Sequence, residues 1–113
     1  MSLVVGIYSS TQSFPKSETY GLSAQLRRAA VSVPSNIAEG QGRVSTGEFK
    51  QFLGHARGSL LEIETQVLLA QELGYIPLEE SRPLLEQISD VGRVLNGLIK
   101  SLPKQRSQVG PAN

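Results

Sequence analysis

GEFKQFLGHARGSLLEIETQVLLAQELGYI, residues 47–76, decides the fold. Phe49, Phe52, Ala56, Leu60, Ile63, Val67, Ala70 and Gly74 recur along it at steps of 3, 4, 4, 3, 4, 3 and 4. That alternation marks one stripe of an α-helix, a heptad-like seam suited to nearly antiparallel neighbours. Just ahead, Ser45-Thr46-Gly47-Glu48 has the form of a capping box, in which the hydroxyl and the carboxylate each satisfy an amide at the helix start. Gly74 supplies the stop.

Upstream, the same periodicity runs from about Thr19 to Gly42, with Leu22, Leu26, Ala29, Val33, Ile37 and Gly40 on the inner side. Pro34 falls inside this stripe, where it removes an amide donor and presses on the carbonyl four residues back. Because the register carries through to Ile37 and Gly40, the reading is a kinked helix; one that ends at Val33 and restarts at Ser35 is the alternative. Gly40-Gln41-Gly42 closes it with residues that tolerate a left-handed cap. A shorter helix spans about Leu3 to Ser13, with Val4, Ile7, Tyr8 and Thr11 along one side, and Phe14-Pro15 ends it. Met1 to Tyr8 reads like the second half of a helix whose first half is missing.

Downstream, Pro77 and Pro83 bracket an acidic helix start, Leu78-Glu79-Glu80. Leu84, Ile88, Val91, Leu95, Leu98 and Leu102 then form a stripe that Pro103 ends. The expectation is an all-α, antiparallel up-down-up-down four-helix bundle over residues 1–103, with a short first helix and a Pro-kinked second, and a polar, disordered tail over residues 104–113. Helices two and three should each run ~36–43 Å, against ~17 Å for the first. Part of a groove is therefore left open, for upstream residues or another subunit to fill.

The chain is 113 residues with a formal charge of +1, a length for one core. Without cysteine and with His55 alone, disulfides, thiolate catalysis and multi-histidine metal sites are excluded. No uncharged apolar run approaches the ~18 residues of a membrane span, and no secretory signal opens the chain, so a cytoplasmic protein without membrane partners is expected. His55 and Ser59 lie one turn apart, but no third group orients them as a triad. Glu62, Glu64 and Glu72 lack the Glu-x-x-His spacing of bundle di-metal sites, since Phe52 stands three residues before His55. Gly40-Gln41-Gly42 and Gly47 have neither the preceding strand nor the Gly-Lys-Ser/Thr of a phosphate loop. Neither an enzyme nor a cofactor is expected. Asn36 and Glu39 are read as polar groups that satisfy the turn distorted by Pro34.

YGLSAQLRRAAVSVPSNIAEGQGR, residues 20–43, together with residues 47–76 and VLNGLIKSL at 94–102, resembles the four-helix-bundle family named for the 23S rRNA intervening-sequence protein. QLRRAA, the Ser-Val-Pro-Ser-Asn-Ile-Ala-Glu-Gly run and Leu-Gly-Tyr-Ile carry the likeness. The resemblance implies a small bacterial antiparallel bundle, often a homopentameric ring, with no enzymatic activity. The accessory protein of diversity-generating retroelements is similar to this family and partners a reverse transcriptase while presenting a basic surface to nucleic acid. Structured RNA or such a nucleoprotein is thus the implied partner. This sequence departs from the pattern in its short first helix and its near-neutral charge.

Charge is nonetheless blocked: residues 1–60 carry six basic and three acidic groups, 61–90 one and seven, and 91–113 four and none. In an antiparallel bundle these blocks should lie side by side and form one basic and one acidic region. Arg93, Lys100 and Lys104 project opposite the fourth stripe, Lys50 and Arg57 flank the third, and Arg27 and Arg28 the second; with Arg43 they are the candidate phosphate contacts. An ordinary solvated face is the alternative. No aromatic interleaves with these charges to stack bases, so binding should follow shape and charge. Ala24, Val31 and Ala38 repeat every seven residues away from the core, and Leu61 and Leu68 do the same beside the third stripe, which suggests a subunit interface rather than scattered surface residues.

Overall fold

A computed structural model describes residues 2–103, which form α1 (Ser2–Thr11), α2 (Leu22–Gln41), α3 (Thr46–Glu72) and α4 (Leu78–Ser101), with a 3-10 turn at Lys16–Glu18. Residues 104–113, expected as a tail, lie outside the described range. Among the described residues there is no strand.

The helix ends follow from local chemistry. Ser45 is extended, and its Oγ accepts the Glu48 amide at 3.1 Å, which starts α3; the Glu48 carboxylate meets the Ser45 hydroxyl at 3.4 Å rather than a backbone amide. At the far end Gly74 adopts φ +79°, and the Tyr75 and Gly74 amides return to the carbonyls of Ala70 and Gln71. This double closure requires the left-handed conformation that glycine takes without steric cost. α2 starts at Leu22, three residues later than the periodicity suggests, because the Glu18 carboxylate caps it by accepting the Leu22 amide at 3.0 Å. Glu18 also accepts the Tyr75 hydroxyl at 3.1 Å, which ties the α1–α2 connection to the α3–α4 turn.

α2 continues through Pro34 without interruption. Asn36 Nδ2 donates to the Ser32 carbonyl at 2.7 Å, not to the Ala30 carbonyl that Pro34 leaves without its helical donor. Gly42 has φ −82°, so no left-handed cap ends α2. Gly40 instead serves packing: a Cβ there would stand 2.8 Å from Phe52 Cβ and 2.9 Å from Phe49 Cδ1, so only glycine lets α3 approach this closely.

Residue numbers on facing helices run in opposite senses. Gln25 meets Gln66, Ser32 meets Ser59 and Gly40 meets Phe52 between α2 and α3. Gln71 meets Ser81 and Arg57 meets Asn96 between α3 and α4, while α1 lies on α2 and α4, with Ser2 at Gln87. The result is a four-helix bundle with Cα extents of 57 × 24 × 21 Å. Its axis is filled by Ile7, Leu26, Val33, Leu53, Ile63, Val67 and Leu95, each buried. Each large aliphatic side chain removed from water there contributes about 1.5–3 kcal/mol.

Two stripes differ from expectation. α1 buries Leu3, Ile7 and Thr11 and leaves Val4 half-buried and Tyr8 exposed. Tyr8 lies instead beneath the Arg27 guanidinium, 4.8 Å from its ring centre, and Arg27 Nε donates to Thr11 Oγ1 at 2.8 Å. In α3 Leu53 is fully buried, while Phe49 and Phe52 are half-buried at the α2–α3 end. Among the described residues, α1 meets α4 at Leu84 and Gln87 through Gly6 and Ser2. Farther along the bundle, Ile37, Val91 and Leu98 are half-buried and Val94 is exposed.

Candidate nucleic-acid interface

The antiparallel pairing sorts charge by end rather than by side. Residues 61–90 are the second half of α3, its turn and the first half of α4, so Glu72, Glu79, Glu80 and Glu86 lie toward one end and Glu62, Glu64 and Asp90 near mid-bundle, with Arg82 the one basic residue of that block. This corrects the side-by-side expectation. The acidic block is the tip of a hairpin, whose two arms share one end of the molecule.

Arg57, level with Asn96, lies near mid-bundle, whereas Arg43, Lys50 and Lys100, together with Glu39 and Glu48, lie toward the opposite end, beside the α2–α3 connection and the last turns of α4. An open cleft of about 370 Å³ there is lined by Gly40, Gln41, Arg43, Val44, Ser45, Thr46, Phe49 and Leu98. Arg57 Nη1 donates to Asn96 at 3.0 Å and is exposed; Lys100 is exposed and Lys50 half-buried, neither with an ion pair among the described residues. Arg93 is held by Asp90 and Ser89 of its own helix. Arg28 lies at mid-bundle, outside the core, whereas Arg27 is half-buried and engaged with α1. The structure therefore does not bring the predicted cations onto one face. It gathers Arg43, Lys50 and Lys100 near one end, leaves Arg28, Arg57 and Arg93 apart, and engages Arg27 in packing; Lys104 lies outside the described residues.

One constellation has no counterpart in the sequence reading. The Arg43 guanidinium lies 4.8 Å over the Phe52 ring centre and is steadied from the side by Glu39 Oε2 at 3.1 Å. His55 packs its ring edgewise on Phe52, with centres 5.9 Å apart. An aromatic thus does stand among the basic residues, contrary to expectation. The sequence signal is the i, i+3 spacing of Phe52 and His55, but nothing in the linear order places Arg43 over them.

Of the candidate interface residues, Val31 is 41% exposed, Leu61 58% and Leu68 43%, while Ala24 is half-buried. Such aliphatic exposure on outward helix faces is available to a neighbour. Among the described residues no three His, Asp or Glu side chains are grouped to hold a metal ion, and no helix is long and apolar enough to cross a membrane.

A family profile described as the 23S rRNA-intervening sequence protein matches residues 1–97. The chain belongs to that family. Among solved structures, the intervening-sequence fold seen here is similar to that of a protein of unknown function from the S23 ribosomal protein family of Bacteroides thetaiotaomicron. The TM-score is 0.77 at 22% identity, over 87% of this chain and 89% of that one, a likeness of fold. No curated protein matches significantly.

Proposed function

We propose that this intervening-sequence protein is a non-catalytic, oligomeric bundle of the cytoplasm, an adaptor that binds structured RNA or a nucleoprotein through basic residues repeated on each subunit. The observation that supports it most directly is the uneven charge along the 57 Å molecule: Arg43, Lys50 and Lys100 against Glu39 and Glu48 toward one end, and Glu72, Glu79, Glu80 and Glu86 against Arg82 toward the other. Each phosphate neutralised releases counterions, and a symmetric assembly multiplies a weak patch. The acidic end turns away from a polyanion and so orients the bundle on it. Membership in a family named for an rRNA intervening sequence supports the same partner class. Titration of a structured RNA at two salt concentrations tests the reading. Affinity that falls as salt rises is expected; absent binding, or affinity indifferent to salt, contradicts it.

A second reading, a protein-interaction scaffold that never touches nucleic acid, is favoured by the exposure of Val31, Leu61 and Leu68. In that case enlarging Ala24, Val31 or Ala38 abolishes partner capture, and reversing Arg93 and Lys100 changes nothing.

A further inference from the structure

Arg43 follows the end of α2, and Phe52 and His55 lie on the second and third turns of α3, so these three groups meet only because the α2–α3 hairpin folds Gly40 against α3. Gly40 admits the Phe52 Cβ, which fixes where the ring sits. Glu39 then holds the guanidinium from one turn back, leaving it over the ring at 4.8 Å. The Arg43 side chain is still 40% exposed in that position. His55 is exposed as well and supports the ring from its edge. Directly beside the stack is a shallow, open cleft lined by Ala38, Glu39, Gly42 and Arg43.

This arrangement differs from a bare phosphate contact. A guanidinium already paired with a carboxylate has much of its charge compensated, yet it retains a planar face and N–H donors, and Glu39 brings an acceptor to the same rim. Planar groups of this kind, aromatic or guanidinium, are what unstacked bases lie on, while hydrogen-bonding groups at the rim meet a base edge. A base inside a duplex has no free face to offer. We propose that the Arg43–Phe52–His55 stack is a seat for an unpaired nucleobase in a loop or bulge of RNA, with Glu39 and Arg43 meeting its edge. The inference rests on the RNA-adaptor reading and deepens it: the cations at this end hold the backbone, and the stack selects single-stranded elements. Ala38 ends the outward ridge of α2 as well as lining the cleft, so a subunit packed on that ridge would stand at the cleft's edge.

The test compares two RNAs of equal length, a stem–loop with 2-aminopurine in its loop and a blunt duplex, binding to the full chain at one salt concentration. The wild type should bind the stem–loop more tightly and change the 2-aminopurine fluorescence. Arg43→Lys keeps the charge but removes the plane. It should weaken stem–loop binding about five- to tenfold, in line with the removal of one stacking partner, and weaken duplex binding less than that. His55→Ala, at an exposed position, should weaken stem–loop binding in the same direction, so the test does not rest on a substitution at Phe52, which packs on Gly40. Equal affinity for both RNAs, or an Arg43→Lys variant indistinguishable from wild type on the stem–loop, overturns the seat while leaving the adaptor reading standing. Absence of binding to either RNA overturns both.

Discussion

Single side chains divide here into those that build the bundle and those it displays. Arg27 and Arg28 are adjacent in sequence and alike in charge, yet Arg27 donates to Thr11 and covers Tyr8 whereas Arg28 takes no part in that packing. Arg27→Ala should therefore cost about 1–2 kcal/mol in urea denaturation, the sum of a hydrogen bond and a cation–π contact, while Arg28→Ala should stay within about 0.5 kcal/mol of wild type. Sequence alone does not separate them, because the choice depends on α1 arriving over one and not the other. Gly40→Ala should destabilise by about 1–2 kcal/mol despite the better helix propensity of alanine, since its Cβ would press on both phenylalanine side chains. Tyr75 provides a pH signature. Its hydroxyl donates to the Glu18 carboxylate, and that bond, with desolvation and the nearby negative charge, raises its pKa above the usual 10.0. The folded state thus holds this proton more tightly than the unfolded chain. Its contribution is complete below the unfolded-chain value of 10.0, is lost as pH rises through the folded value, and should vanish from alkaline melting curves of Tyr75→Phe.

At the level of helices, periodicity locates α3 and α4 well because long, two-sided segments leave little choice of inward face. The α3 stripe from Ala56 to Ala70 is buried as the spacing predicts, and the stop at Gly74 is a left-handed closure. Short or terminal segments are harder to place. In α1 the turn-to-turn choice among Leu3, Val4, Ile7 and Tyr8 depends on which neighbours α2 and α4 present. Periodicity misplaces the start of α2 because its cap comes from Glu18, inside a 3-10 turn that has no apolar period. Pro34 sits in an uninterrupted helix, where a proline forfeits the bond to the Ala30 carbonyl. Pro34→Ala should accordingly raise the urea midpoint by an amount equivalent to about 1–3 kcal/mol. An unchanged or lower midpoint would mean that the proline's own packing outweighs the missing bond.

Considered whole, the molecule carries its charge unevenly from end to end, which a block count of the sequence shows only once the hairpin is known. The bundle itself is legible from spacing, whereas the Arg43–Phe52–His55 stack is not, because it joins the end of one helix to the side of the next. Exposed aliphatic residues on α2 and α3 should bring subunits together: native mass measurement is expected to give a multimer for wild type and a smaller species for Leu61→Asp with Leu68→Asp, both exposed positions. The decisive measurement is the slope of log affinity for a structured RNA against log salt, for wild type and for a Lys50→Ala, Arg57→Ala, Lys100→Ala variant. A clearly negative wild-type slope is expected, and it should flatten by roughly one unit for each phosphate that the variant no longer neutralises. A flat wild-type slope, or one that the triple substitution leaves unchanged, would contradict binding through these cations.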